Sequence, residues 1–213
     1  MKTARTLPWL IAAAALAGAL GLWLGQRWYD GTGTATSDVG TTTAIVYPEP
    51  RVLEDFLLER TDGRPLVLDS WRGQWNLVFI GFTHCPDACP QALAVFRDIE
   101  KQWPAEAGPP PAMYFVSVDP ERDSTQALSD YATYFSPRIV AATGTHERLE
   151  PFARQLGMIY MKTPLESGDY TVDHSTHVAV VDPQGRMVAM FRAPHDARAI
   201  VSDLAALQRA VVR

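Results

Sequence analysis

The two cysteines of the chain lie in one short segment, Gly81 to Pro90, whose sequence is GFTHCPDACP. An apolar run typical of a buried strand precedes this segment, and apolar residues at helical spacing follow it. Backbone N–H groups and the helix dipole at such a junction stabilise thiolates, and they lower the pKa of cysteine from about 8.5 to between about 3.5 and 7.5. Because Pro90 suits a first helical turn, Cys89 is expected at the helix start and Cys85 in the preceding loop. Two thiolates at this spacing can close a disulfide or share a soft metal ion.

The number and spacing of the cysteines exclude several classes of protein. Two cysteines are too few for a disulfide-stapled small domain or a four-cysteine zinc module. A purely structural role is typical of a single buried cysteine, whereas this pair lies in a proline-flanked loop. Thiol–disulfide exchange enzymes usually have two residues between their cysteines and this chain has three, which weakens that alternative without removing it. A peroxidase is less favoured still, because Thr83 and Cys85 lack the proline and threonine spacing of such enzymes.

The cysteine segment is expected to join a strand and a helix of an open sheet. Two continuous apolar runs with β-branched and aromatic residues, Asn76–Phe82 and Ala112–Val118, are typical of strands buried on both faces. Leu93 and Phe96 follow helical spacing between them, which predicts a β-α-β unit. The order of the remaining patterns predicts an α/β sandwich of thioredoxin type, preceded by an accessory hairpin over Arg51–Ser70. The later predicted elements are helices around Leu128–Phe135, Leu149–Leu156 and Ile200–Val211, and strands at Arg138–Ala142, Thr176–Asp182 and Arg186–Phe191.

His174 is the histidine expected to reach the cysteines. It lies just before a predicted strand, in a turn that faces the cysteine loop in thioredoxin-type architecture. Two thiolates and one imidazole suit Cu(I), and the same set holds Cu(II) with an added ligand. Side chains alternate along a strand, so His177 is expected on the opposite face from His174. His84 is adjacent to the first cysteine, but adjacency alone does not make it a ligand. The two remaining histidines, His146 and His195, are predicted at the surface.

Three carboxylates are candidates for contacts around the site. Asp119 and Asp123 follow the second central strand, at the sheet edge where α/β proteins bind ligands, so they border the cysteine loop. There they can shape the local field or receive a partner. The alternative is that this loop only caps the helix after it. That interpretation is preferred for Glu121 and Arg122, which lie between the two aspartates. Asp173 can orient His174 by a hydrogen bond.

The N-terminal segment has the composition of a membrane anchor. No charged residue lies between Arg5 and Arg27, and the apolar stretch is long enough to cross roughly 30 Å of hydrocarbon. A cleaved signal peptide is the alternative, although its apolar region normally runs only about 7–15 residues. The positive charge before the segment predicts a single-pass protein of a bacterial inner membrane, with its soluble part in the periplasm. The predicted organisation is an anchor over residues 1–29, a flexible linker over residues 30–44 and one domain over residues 45–213.

The charge balance argues against nucleic acid as a partner. The chain has 19 basic and 24 acidic residues, a formal net charge of −5. Three of the basic residues, Lys2, Arg5 and Arg27, belong to the N-terminal segment, so the rest of the chain has 16 basic against 24 acidic residues. Such a surface repels phosphate backbones.

Three motifs of the chain resemble those of the Sco/SenC family, copper-binding proteins of thioredoxin fold that serve the assembly of cytochrome c oxidase. They are GFTHCPDACP, SVDPERD at Ser117–Asp123 and DHST at Asp173–Thr176, in this order and with these separations. The resemblance extends from about Tyr47 to Leu207, and it implies that Cys85, Cys89 and His174 are the copper ligands. It also implies a membrane tether with the soluble domain on the outer side. His177 is not a usual family position.

The function that this resemblance implies is that of a copper chaperone, which delivers copper to the copper site of a cytochrome c oxidase subunit. A disulfide between the cysteines would abolish copper capture, so a thioredoxin-like reductant is an expected partner beside the oxidase subunit. The alternative is a membrane-anchored thiol–disulfide oxidoreductase that reduces the cysteines of the oxidase copper site. The absence of proline directly before Thr176 counts against it, because thioredoxin relatives usually place a cis-proline there. A copper-responsive redox sensor is a further alternative.

Overall fold

The computed structural model of the chain describes residues 14–25 and 40–211. Two units are distinguished, Met1–Asp38 and Val39–Arg213. In the first unit, helix α1 covers residues 14–25 and its side chains are exposed. Over the described parts of the chain, no helix combines the length and the apolar character that crossing a membrane requires. The predicted anchor over residues 1–29 extends to both sides of α1 and lies largely outside the described residues, as does most of the predicted linker.

The second unit alternates strands and helices. Its strands are β1 (Ala44–Val52), β2 (Leu57–Arg60), β3 (Pro65–Val67), β4 (Asn76–Gly81), β5 (Ala112–Ser117), β6 (Ile139–Thr143), β7 (Tyr160–Pro164), β8 (Tyr170–His174), β9 (Val178–Val181) and β10 (Arg186–Phe191). Its α-helices are α2 (Ala88–Gln102), α3 (Thr125–Phe135), α4 (His146–Gln155) and α5 (Ala197–Val211), with short 3-10 helices at Leu68–Trp71 and Ala105–Ala107.

One mixed sheet runs through this unit, in the order β1-β10-β9-β4-β5-β6-β2-β3, and β7 and β8 form a separate hairpin. β4, β5 and β6 are parallel, and β9 pairs with β4 in the antiparallel direction. Every residue of β4 is buried, because both faces of the sheet are covered. Leu77 and Phe79 pack in the cluster with α2, α3 and α5, and Val78 and Ile80 pack in the cluster with α4. This alternation is the period-two pattern of a central strand.

The elements predicted from the apolar patterns are present, with ends that shift by a few residues. A turn joins β9 and β10, and its Gly185 has the positive φ of 79° that favours glycine. The hairpin predicted over Arg51–Ser70 is shorter, because Arg51 and Val52 belong to β1. It is also not accessory, since β2 pairs with β6 and extends the main sheet.

The strand register places the ends of several strands on the same side of the sheet. Val78 of β4 pairs with Ala179 of β9, which runs in the opposite direction. Phe191 at the end of β10 pairs with Val178 at the start of β9 and with Ala44 at the start of β1. The start of β1 therefore lies on the same side of the sheet as the carboxyl end of β4, where the cysteine loop begins.

The start of β1 is held in place by the carboxylate of Asp203, a buried residue of α5. Its Oδ1 accepts hydrogen bonds from the backbone N–H and the hydroxyl of Thr42, at 2.8 and 3.1 Å. Its Oδ2 accepts from the backbone N–H and the hydroxyl of Thr43, at 2.7 and 2.9 Å, and from the N–H of Ala44 at 2.8 Å. One carboxylate thus satisfies three consecutive backbone donors where an edge strand begins.

Replacing Asp203 by alanine is expected to lower the free energy of unfolding by about 2 kcal/mol at neutral pH, because the hydrogen bonds to a charged acceptor are lost. The loss is not larger because Thr42 and Thr43 are exposed, so water replaces part of these hydrogen bonds. Burial raises the pKa of the Asp203 carboxyl, but the hydrogen bonds from Thr42, Thr43 and Ala44 outweigh it, so this pKa lies below its ordinary value. The carboxylate therefore stabilises the fold above its unfolded-state pKa of about 3.9, and this stabilisation is lost as the pH falls through the lower folded-state pKa.

Urea unfolding of the wild type and the Asp203→Ala variant, at neutral pH and at about pH 3, measures this difference and its expected decrease in acid. Asp130→Ala is the control, since Asp130 is an exposed carboxylate on α3 that is hydrogen-bonded to the exposed side chain of Gln126. A loss of stability no larger for Asp203→Ala than for Asp130→Ala would contradict the assignment.

Candidate metal centre

The cysteine loop joins the carboxyl end of β4 to the first turn of α2. Cys89 is the second residue of that helix and is fully buried, whereas Cys85 lies in the loop and is half-buried. Both cysteines are free thiols. The backbone N–H of Cys89 donates to the Sγ of Cys85 at 3.4 Å, which is the helix-terminus contact that stabilises a thiolate. The placement of both cysteines matches the prediction made from Pro90.

Gly81, the last residue of β4, makes room for the buried sulfur. A Cβ on Gly81 would overlap the Sγ of Cys89 and would lie 2.9 Å from Cε2 of Phe115. Both neighbours are fully buried and cannot move aside without opening the core. Glycine is therefore needed here for a close approach and not for an unusual backbone angle. A glycine inside a strand pattern is a recognised signal of such an approach, but the sequence does not say what approaches.

His174 reaches the sulfurs from the end of β8. Its Nε2 lies 3.5 Å from the Sγ of Cys89, and the two sulfurs and one ring nitrogen all lie within 4.8 Å of one another. Its Nδ1 lies 3.0 Å from the backbone carbonyl oxygen of Ser175. Because a carbonyl oxygen only accepts hydrogen bonds, the proton of the neutral ring is on Nδ1, and the lone pair of Nε2 faces the cysteines.

The ring of His174 is also fixed by packing. It contacts Phe79 and Phe82 edge to face, with centroid distances of 5.8 and 5.9 Å. Asp173, which the sequence suggested as the orienting group, is exposed and accepts a hydrogen bond from the hydroxyl of Thr163 at 2.5 Å, within the β7–β8 hairpin. The orienting contact to Nδ1 comes instead from the backbone of Ser175.

The two cysteines differ strongly in acidity. The side-chain hydrogen bond from Cys89 lowers the pKa of Cys85 to about 3; burial opposes the shift, and hydrogen bonds from the backbone groups of Cys89 and Asp87 support it. The same hydrogen bond and burial raise the pKa of Cys89. At neutral pH the pair therefore keeps one proton, on the buried sulfur. A metal ion bound by both sulfurs displaces that proton.

Asp123 ties the cysteine loop to the neighbouring strand. Its buried carboxylate accepts hydrogen bonds from the backbone N–H of Thr83 at 2.9 Å, from the hydroxyl of Thr83 at 2.5 Å and from the hydroxyl of Ser117 at 2.6 Å. Thr83 lies two residues before Cys85, and Ser117 is the last residue of β5. The helix after this loop is capped by Ser124, whose side chain accepts from the N–H of Ala127, so Asp123 is not the capping residue.

Asp119 supports the hairpin that carries His174. Its buried carboxylate accepts from Nε of Arg122 at 2.5 Å and from the hydroxyl of Tyr170 at 2.7 Å. The guanidinium of Arg122 also lies over the Tyr170 ring, 3.7 Å from its centroid, and donates to the Tyr170 carbonyl at 2.8 Å. Tyr170 begins β8, the strand that ends at His174. Arg122 was predicted only to cap the helix after its loop and Tyr170 was not singled out, because no local pattern links the loop after β5 to this hairpin.

The other histidines lie outside the group of three. His84 is exposed, with its Nδ1 3.0 Å from the Thr83 hydroxyl. His177 is half-buried, and its Nε2 lies 3.3 Å from the Leu156 carbonyl oxygen. His146 begins α4 and contacts Tyr160 and Glu121. His195 was predicted at the surface, but it is partly buried and contacts the backbone of Thr176.

The donor set of the group suits one soft metal ion. Within the described part of the chain, the ligand atoms of Cys85, Cys89 and His174 lie close enough together to bind one metal ion. Two sulfurs and an imidazole nitrogen are soft or intermediate donors, which favour Cu(I) over hard cations. The half-buried position of Cys85 leaves one side of the cluster accessible.

Most of this chain matches one known protein family. The family model SCO1/SenC matches residues 46–209. The chain is 36% identical over 141 residues to the mitochondrial SCO1 homolog 1 of Arabidopsis thaliana, and this match covers 66% of this chain but only 42% of the relative.

Solved structures agree with this match. The structure of Arabidopsis thaliana ScoI with copper bound superposes with a TM-score of 0.69 at 32% identity, covering 73% of this chain and 98% of that one. BsSco, described as a member of the Sco family of cytochrome c oxidase assembly proteins with a disulfide switch, gives a TM-score of 0.61 at 26% identity, covering 75% and 94%. The predicted thioredoxin-like α/β fold is confirmed, and the chain belongs to the SCO1/SenC family.

Proposed function

We propose that this chain is a copper chaperone, which takes up copper through Cys85, Cys89 and His174 and passes it to the copper-site subunit of a cytochrome c oxidase. The observation that carries the proposal is the convergence of two sulfurs and the Nε2 lone pair within 4.8 Å at a half-accessible edge of the sheet. The copper bound to the Arabidopsis relative and the oxidase-assembly role described for BsSco support it.

The working state that the donors favour is Cu(I). Thiolate ligands select Cu(I), and the same three groups accept Cu(II) when a further ligand is added. A three-ligand site with an accessible sulfur suits transfer, because a thiolate of the acceptor can replace one ligand at a time. Copper keeps its oxidation state in this exchange, and no covalent bond of a substrate is broken.

The ligand assignment is tested by copper binding of the reduced full-length chain in detergent without oxygen, in competition with a chromophoric Cu(I) chelator. The His174→Ala variant is expected to bind copper at least about 100-fold more weakly, since loss of a ligand costs at least as much as loss of the group that orients it. His84→Ala is the matched control and is expected to keep wild-type affinity, because that exposed ring lies outside the cluster. Unchanged affinity of the His174→Ala variant would remove this residue from the site.

Delivery itself is tested in a strain that lacks the gene. Oxidase activity is expected to fall in that strain and to recover when copper is added to the medium, because excess copper replaces a delivery protein. A strain that recovers only with an added dithiol would instead support disulfide reduction.

A second candidate function, thiol–disulfide exchange with the oxidase copper site, is favoured by the unequal exposure of the two free cysteines. The half-buried Cys85 sulfur would attack a partner disulfide and form a mixed disulfide, which releases one partner thiolate. Cys89 would then attack Cys85 as its proton passes to the second partner sulfur, which leaves as a thiol, and a Cys85–Cys89 disulfide remains. Two electrons pass to the partner, and a thioredoxin-like dithiol must restore the pair. A rate with a model disulfide no faster than that of a free thiol, in metal-free protein, would reject this function.

The location that suits either function is the periplasmic side of a bacterial inner membrane. The uncharged apolar stretch between Arg5 and Arg27 supports an anchor over residues 1–29, followed by a connecting segment over residues 30–44 and the family domain over residues 45–213. Retention of the full-length chain in carbonate-washed membranes, with its C-terminus open to protease only after the outer membrane is permeabilised, measures both parts of this proposal.

A further inference from the structure

The loop after His174 leaves the strand pairing of β8 and is held by individual contacts. Ser175 exchanges two hydrogen bonds with Ile159, from its backbone N–H to the Ile159 carbonyl at 2.9 Å and from the Ile159 N–H to its hydroxyl at 3.0 Å. The Ser175 carbonyl accepts from the His174 ring. The next carbonyl, that of Thr176, accepts from Nε2 of His195 at 2.9 Å. This last contact comes from a residue 19 positions further along the chain.

His195 is itself held on both sides. Pro194 precedes it with a fixed φ, and Asp196 follows as a cap of α5, where its carboxylate accepts from the N–H of Ala199 at 2.8 Å. The His195 ring contacts Phe79 edge to face at 6.5 Å, and Phe79 also contacts the His174 ring. The imidazole therefore meets the ligand loop from a rigid position, and both rings share one aromatic neighbour.

The hydrogen-bond chemistry of His195 points to the Thr176 contact as its purpose. Because a carbonyl oxygen only accepts, Nε2 of His195 carries the proton. The other ring nitrogen, Nδ1, is buried and has no partner among the residues that the structure describes. A buried acceptor without a donor lowers stability, so the fold gains less from this ring than an apolar side chain of the same size would give. What the imidazole supplies and an apolar side chain lacks is the donor to Thr176.

We propose that His195 is a positioning residue for the metal centre, which fixes the Thr176 carbonyl and thereby holds the loop that sets the direction of the His174 ring. This inference rests on the proposed copper function only for its consequence on copper affinity. Its consequence for the loop holds in the metal-free protein as well.

The test compares two replacements in the full-length chain. His195→Leu keeps an apolar side chain against Phe79 but removes the donor, whereas His195→Gln keeps an N–H donor near the position of Nε2. In the metal-free protein, amide hydrogen exchange of Ser175 is expected to become at least about tenfold faster in the leucine variant and to stay near wild type in the glutamine variant. Cu(I) affinity is expected to fall about tenfold in the leucine variant and to recover in the glutamine variant. A tenfold loss is the lower end of the range found when a group that orients a metal ligand is removed. Urea unfolding is measured for each variant in parallel.

The outcomes separate this inference from the proposed function. Wild-type protein that takes up no copper rejects the chaperone, and the exchange rate of Ser175 still decides the role of His195. Leucine and glutamine variants that change equally, or a leucine variant with wild-type exchange or wild-type copper affinity, overturn the inference. If the leucine variant does not fold, His195→Asn carries the same expectation, because its shorter amide does not reach the Thr176 carbonyl.

Discussion

The Gly81→Ala variant is expected to lose stoichiometric copper binding altogether. The added Cβ would occupy the place of the Cys89 sulfur and would press on Phe115 at 2.9 Å. Overpacking of a buried site costs about 1–3 kcal/mol of stability, which a domain of this size tolerates. The sulfur is the atom that must move, and its displacement separates it from Cys85 and from the His174 Nε2 at 3.5 Å.

Copper stoichiometry of the reduced protein measures this effect, and circular dichroism shows whether the variant is folded. Gly144→Ala is a matched control, because a Cβ there meets Leu58 Cδ2 at 2.9 Å and no sulfur. The control is expected to show a similar loss of stability and one bound copper ion. A folded Gly81→Ala variant that binds one equivalent with wild-type affinity would show that Cys89 is not required at its observed position.

The Asp123→Ala variant is expected to lose about 4 kcal/mol of stability and to bind copper at least about tenfold more weakly. The substitution removes the shared acceptor of three donors, the N–H and hydroxyl of Thr83 and the buried hydroxyl of Ser117, and of these only the Thr83 hydroxyl has another nearby acceptor, Nδ1 of His84 at 3.0 Å. Each buried donor without a partner costs about 1–3 kcal/mol, and Thr83 is partly exposed, so its share is smaller. Copper binding weakens because the loop before Cys85 loses its tie to β5.

Asp123→Asn should retain much of both properties, since the Asn amide oxygen can accept from the Thr83 N–H and from Ser117 while its NH₂ group donates to the Thr83 hydroxyl. Ser124→Ala is the control; it removes the helix cap of α3, and it is expected to cost about 1 kcal/mol without changing copper affinity. Guanidinium unfolding and chelator competition measure the two properties. If alanine and asparagine at position 123 have equal and small effects, the carboxylate does not hold the loop.

The parts of this site that follow a local pattern could be predicted from the sequence. The apolar run into Gly81 and the helical spacing after Pro90 define a strand and a helix, and Cys85 and Cys89 lie at their junction. His174 required a further step, since its place beside the sulfurs depends on how β9 pairs with β4. The resemblance to the family implies a short hairpin over Met158–Val172 that varies among relatives, so a strand that continues to His174 was not expected.

The supporting contacts could not be predicted, for physical reasons that differ between residues. The group that orients His174 is a backbone carbonyl, and every residue has one, so the sequence offers no signal. Asp123 carries a signal, but a carboxylate after a strand can face solvent, a helix end or a loop, and only the fold decides. β1 was missed because Pro48 and Pro50 interrupt its pattern, and the pairing with β10 shifts register between Val46 and Arg51.

The hydrogen bonds from residues 42–44 to Asp203 fix the place where the chain enters the domain. Asp203 holds residues 42–44 at the sheet edge from which the cysteine loop also emerges, and the strand order puts β10 and β9 between them. Three strand spacings correspond to a lateral offset of about 14 Å. The point at which the chain enters this domain thus lies at the same end of the strands as the sulfurs and not at the opposite end. For the proposed transfer of copper, this arrangement means that an acceptor must approach Cys85 beside residues 42–44, so bulk added at these residues is expected to hinder transfer before it affects the ligands themselves.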